Sequence, residues 1–181
     1  APEAPRERIY VSRGDAAHRR VRNEPEVMEA LRARGFRCVA PGGMRVAEQA
    51  ALFASAETVV GPHGSGFANL VFAAPGARVV ELFSRNYVNP CFWSVANQSG
   101  LEYAYLIEPG TRPPDFVDPH RSGDDMTVDV DALGKLLARL DEERPPTAPG
   151  PHADAGDHAY LGPEALIFRG VPDRGTSAGA A

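Results

Sequence analysis

Residues 58–72 read TVVGPHGSGFANLVF, and this stretch constrains the fold more than any other. Thr58, Val59 and Val60 are β-branched and follow the polar Glu57, which is the composition of a short buried strand. Gly61, Gly64 and Gly66 then interrupt regular structure. Phe67, Leu70 and Val71 resume at helical spacing, which predicts a helix from near Ser65. A strand that passes through a glycine-rich turn into a helix N-terminus offers free backbone N–H groups and a positive dipole end to an anion. His63 lies inside the turn and donates or accepts a hydrogen bond near neutral pH. Glycine-rich turns also occur in α/β proteins without an anion site, and a loop histidine is often only solvated. The stretch contains neither GxGxxG nor GxxxxGK[ST], so two common nucleotide fingerprints are absent.

On either side the chain alternates between the two periodicities. Strands are expected over residues 8–12, 36–40, 58–60, 78–83 and 101–107. Helices are expected after Asn23, over 46–56, from Ser65, over 92–99 and over 128–140. Asn23 is placed to cap the first helix, with Glu24 and Glu26 in its first turn and Gly35 as its stop. Val46, Ala50 and Phe53 are expected on the buried side of the second helix, and Asp129 and Asp131 begin the last. This alternation implies a Rossmann-like parallel sheet of about five strands with helices on both faces and right-handed crossovers. Residues 8–141 then form one lobe, and the Pro-, Gly- and Ala-rich residues 142–181 read as a mostly disordered tail whose apolar patch at 165–168 is too short to build on.

Directly after the first strand comes RGDAAHRRVR, with Arg13, Arg19, Arg20 and Arg22. Ligands of open parallel sheets bind at the carboxyl ends of strands, so this loop and the His63–Ser65 turn are expected on one rim. Several guanidinium groups there clamp a diphosphate by bidentate hydrogen bonds, or else form a solvated basic loop. The 181-residue chain carries a formal charge of -5, which excludes a general polyanion binder and leaves small phosphates as the partners of a local basic cluster. No HxH, CxxC or DxD cluster stands out as a metal site, Asp129-Val130-Asp131 reading as a helix start, and Asp124-Asp125 is expected to serve in helix capping. Cys38 and Cys91 sit among apolar residues, as buried free thiols do. No apolar run near Ala1 suits a signal peptide or a span, so a cytoplasmic or membrane-peripheral location is expected. Tyr87, Phe92 and Trp93, after the fourth strand, are candidates for an exposed apolar face near the basic loops.

Taken together, IYVSRGDAAHRRVRNEPEV, GFRCV, AEQAALFASAETVVGPHGSGFANLVF, PGARVVELF and DMTVDVDALGKLL resemble the C-terminal half of glycosyltransferase family 61. The resemblance implies one lobe of a two-lobed GT-B enzyme that inverts configuration without an obligatory metal or other cofactor. It implies a nucleotide-sugar donor, UDP-linked by expectation, and a glycan or polysaccharide acceptor such as cell-surface or capsular polysaccharide, with no nucleic acid partner. It implies donor contacts at Arg13, Arg19, Arg20, Asn23, Glu24, His63, Gly64, Ser65 and Glu81, and it names no catalytic base. The acceptor-binding lobe is not legible in these residues, so a separate N-terminal lobe or a second copy is the expected partner. The alternatives are a nucleotide-binding remnant that transfers nothing and an unrelated α/β nucleotide-binding module.

Overall fold

A computed structural model describes residues 7–142, 159–160 and 165–168. Its elements are β1 (Glu7–Val11), α1 (Glu24–Arg32), β2 (Phe36–Val39), α2 (Val46–Ala54), β3 (Ala56–Pro62), β4 (Arg78–Phe83), α3 (Cys91–Gln98), β5 (Glu102–Ile107), α4 (Val130–Glu142), β6 (Ala159–Tyr160) and β7 (Ala165–Phe168). Short 3₁₀ segments occupy Pro41–Gly43 and Ser65–Phe72. The sheet order is β2-β1-β3-β4-β5-β7-β6. The first five strands in that order are parallel, as the alternation predicts, and β7 and β6 add antiparallel beyond β5.

Strand parity divides the core. Ile9, Val59, Val79 and Tyr103 point to one face, where Leu52 and Phe53 of α2, Phe67 and Leu70 of the 3₁₀ segment and Ala96 of α3 cover them. Tyr10, Val60, Val80 and Ala104 point to the other face, under α1 and α4. Both faces being buried explains the near-continuous apolar runs in β3 and β4. Leu133, Leu136, Leu137 and Leu140 carry α4, and each such burial stabilises by about 1.5–3 kcal/mol. Asp129 begins that helix as expected, its carboxylate accepting the Ala132 N–H at 2.9 Å.

Several local expectations are corrected. Val46 is 70% exposed; α2 packs through Phe53, as expected, and through Leu52 beside it. The Ser65–Phe72 segment is 3₁₀, not α: Phe67, Leu70 and Ala73 repeat every third residue and are all buried, whereas Val71 is exposed. Three residues per turn bring that apolar set onto one line, which a 3.6-residue helix does not. Asn23 does not cap α1. Its amide donates to the Val128 carbonyl at 2.9 Å and accepts the Val128 N–H at 2.9 Å, satisfying two backbone groups of the segment ahead of α4. Asp124 and Asp125 cap nothing either: they bind Asn86 and Arg20. Cys38 is half-buried and Cys91 exposed.

Within the stretch expected to be a mostly disordered tail, residues 165–168 form β7, which pairs with β5 from Tyr103 to Leu106. The patch gains from β5 the partner that its own length cannot supply. The remainder of that expected tail lies outside the described residues.

Candidate functional site

In a parallel sheet ordered 2-1-3-4-5 the connections leave β1 and β3 in opposite directions, and a crevice opens at their carboxyl ends. Here those ends carry Ser12–Arg13 and His63–Gly64–Ser65. Gly61 allows the two strands to close: a Cβ there would lie 2.8 Å from the Val11 carbonyl oxygen. Gly64 then leaves space for the Arg13 guanidinium, which lies where a Cβ on Gly64 would stand, 1.9 Å from Nη1. The two loops therefore share one rim, as expected from the sequence. Beside them a cavity of about 310 Å³ is lined by Ser12, Arg13, Asp15, Gln49, Ser65 and Asn69.

Arg13 and Arg19 stand near each other with few protein partners. Arg13 Nη2 donates to the His18 carbonyl at 3.2 Å, and its Nε is buried without a hydrogen-bond partner. Burial, and then the neighbouring Arg19, push the Arg13 pKa below its ordinary value. Arg19 adopts a left-handed backbone, φ 56°. Its guanidinium lies 5.2 Å from the Tyr87 ring centroid, and its Nε is also buried and unpartnered. Enclosed donors without a partner, even on half-buried cations, are costly unless something completes them.

Other expected site residues are engaged by the protein. Arg20 donates twice to Asp125, at 3.2 and 2.9 Å, tying the basic loop to residues 108–125. Arg22 pairs with Glu108 at 3.5 Å. The Glu24 carboxylate accepts the Tyr10 hydroxyl at 3.0 Å and the Ser12 hydroxyl at 2.8 Å, directly under Gly14. Burial, then Glu24, push the Tyr10 pKa up. Glu24 is thus a pin beneath the loop, and Asn23 a tie to Val128.

Beneath the glycine turn lies a buried polar chain. Glu81 is 0% exposed and His63 5%. His63 Nδ1 stands 2.5 Å from Glu81 Oε1, and the Tyr103 hydroxyl donates to Glu81 Oε2. The imidazole packs at 5.3 Å from each of Phe83, Tyr87 and Phe92. Burial raises the Glu81 pKa, opposed by His63 and Tyr103. Of the aromatic face expected to be exposed, Tyr87 and Phe92 turn inward onto His63, while Trp93 stays 37% exposed.

Ser12, Asp15, Gln49, Asn69 and Tyr103 escaped the sequence reading. Asn69 Nδ2 donates to Gln49 Oε1 at 2.7 Å and to the Gly66 carbonyl at 3.1 Å, so an amide pair walls the cavity. Ser12 and Asp15 carried a signal, their place beside Arg13 at a strand's carboxyl end. The others reach the site by crossing between elements.

Residues 1–80 match the family described as glycosyltransferase 61. That span holds every expected contact except Glu81. The chain is also 35% identical, over 100 residues, to beta-1,2-xylosyltransferase RCN11 of Oryza sativa subsp. japonica. The alignment covers 51% of this chain and 19% of the rice protein, so this chain spans about a fifth of that relative's length.

Proposed function

We infer, from the premise that this chain belongs to glycosyltransferase family 61, that it carries the donor-binding lobe of a sugar transferase. The donor is a nucleotide sugar whose diphosphate lies between Arg13, Arg19 and the His63–Ser65 turn, and whose nucleoside enters the cavity walled by Gln49 and Asn69. The observation that carries this reading is the seating of Arg13 on Gly64 at the β1/β3 crevice, with two guanidinium Nε atoms buried and unsatisfied. Two cations with idle donors in a partly dry crevice suit an anion that completes them.

Such a site supplies what glycosyl transfer asks of the donor side. Negative charge accumulates on the leaving diphosphate, and fixed guanidinium and N–H donors stabilise it without reorganising. This supports a reaction that needs no metal. In-line displacement with inversion requires an acceptor hydroxyl opposite the diphosphate, offered by a facing lobe or a second copy; positioning of that kind lowers a barrier by about 7–11 kcal/mol. A UDP-linked pentose is the donor of choice, given the xylosyltransferase relative, and a glycan or polysaccharide the acceptor. Arg20, Asn23 and Glu24 act by shaping the loop around the donor.

Isothermal titration of the chain with UDP-xylose tests the reading. Arg13→Ala is expected to cost about 1.5–3 kcal/mol of affinity, the worth of a charge-assisted hydrogen bond. Absence of heat, or equal affinity in Arg13→Ala, removes the proposed site.

A further inference from the structure

The chain Tyr103–Glu81–His63 runs from the sheet interior to the rim, and neither the family match nor a diphosphate clamp accounts for it. A fully buried carboxylate is costly, and here it rests on one imidazole and one phenol. His63 Nδ1 is taken by Glu81. Its Nε2 has no hydrogen-bond partner among the described residues and is not among their enclosed, unsatisfied atoms, so it is open to a further partner. The ring lies in the turn that Arg13 covers, and Tyr87 stands edge-on to His63 while the Arg19 guanidinium lies over the Tyr87 ring.

We propose that buried Glu81 keeps a hydrogen on His63 Nε2, and that this N–H is donated to a diphosphate oxygen of the donor, so that donor affinity depends on the protonation of a buried pair. The inference rests on the donor-site reading above. The proton count is simple. With one proton between Nδ1 and Oε1 and another on Nε2, the His63–Glu81 pair is neutral. Removing one proton leaves a net negative charge in the interior and a bare Nε2 that repels phosphate. Burial opposes that loss, in line with the raised Glu81 pKa. Tyr103 works the other way, since its hydroxyl stabilises the ionised carboxylate.

Other titratable or charged groups face this pair. Arg13 and Arg19 come from the loop after β1; Tyr87 follows β4; Cys91 opens α3; Tyr103 lies on β5. The guanidinium groups stay charged throughout. Burial and Glu81 push the Cys91 thiol up, and burial and Glu81 do the same to Tyr103. A Cys91→Ser background removes the thiol from the experiment.

The test is a titration of the full chain with UDP-xylose across about pH 5 to 8, with uridine as the phosphate-free control. The diphosphate of a nucleotide sugar is a diester and does not titrate in that range. Affinity for UDP-xylose is expected to fall as pH rises, approaching about tenfold per pH unit, while uridine binding stays flat. His63→Gln is expected to abolish the slope and leave uridine binding unchanged. Tyr103→Phe removes a donor to the carboxylate, so the pair holds its proton longer and the midpoint moves to higher pH. This variant keeps the test decisive if His63→Gln fails to fold. A flat wild-type profile, a slope that survives in His63→Gln, or a Tyr103→Phe midpoint that stays or moves down overturns the inference and leaves the donor site standing. No binding of UDP-xylose at any pH overturns both.

Discussion

At the scale of single residues, the site depends on one missing side chain. Gly64 has extended backbone, φ 170°, so its glycine is required by space and not by dihedral strain. Any Cβ there meets the Arg13 guanidinium, the far end of a flexible side chain. Gly64→Ala is therefore expected to leave the melting temperature nearly unchanged while lowering UDP-xylose affinity about as much as Arg13→Ala. The two changes act on one interaction, so the double variant should lose little beyond either single one, within the few tenths of a kcal/mol typical of additivity errors. Calorimetric titration of the four proteins closes the cycle. A fully additive loss means that Gly64 serves something other than Arg13.

At the scale of elements, the basic loop is held from outside its own sequence. Residues 108–125 lie far along the chain, yet Asp125 accepts both the backbone N–H of Arg20 and its guanidinium, and Val21 bridges to Met126. The Arg20 backbone bond, then its side chain, hold the Asp125 carboxyl below the ordinary range. A carboxylate depressed in the folded state contributes stability above its ordinary pKa, and that contribution is lost as pH falls through the folded value. The tie is thus intact at neutral pH and opens only in acid. Asp125→Asn is expected to cost no more than about 1 kcal/mol, because the pair is partly solvated. Hydrogen exchange should nevertheless speed up at the backbone N–H groups of Arg20, Arg22 and Met126, with protection in β3 unchanged. Unaltered exchange in that loop would show that Asn23 and Val128 suffice to hold it.

At the scale of the molecule, the parallel sheet has an edge that the late strand covers. Pairing of β7 along β5 satisfies backbone groups that otherwise invite another chain. A chain ended after Glu142 is expected to melt lower, by a few hydrogen bonds at about 0.5–1.5 kcal/mol each, and to self-associate in light scattering. An unchanged melt without association would mean that β5 needs no cover. The five parallel strands, the rim shared by the loops after β1 and β3, and the candidate cations Arg13 and Arg19 were legible from sequence, because strand, turn and helix signals are local and each loop follows its strand directly. The sequence also determined that Asp129 would start α4, since a cap acts within three residues. Tertiary structure alone decided the rest. Asn23 exchanged a cap for Val128, Arg20 was taken by Asp125, and Glu81 met His63 and Tyr103 across three neighbouring strands. These partners lie 18 to 105 residues apart. No periodicity encodes such a pairing; the register of the sheet and the packing of the loops bring the groups together, and burial then makes their hydrogen bonds obligatory.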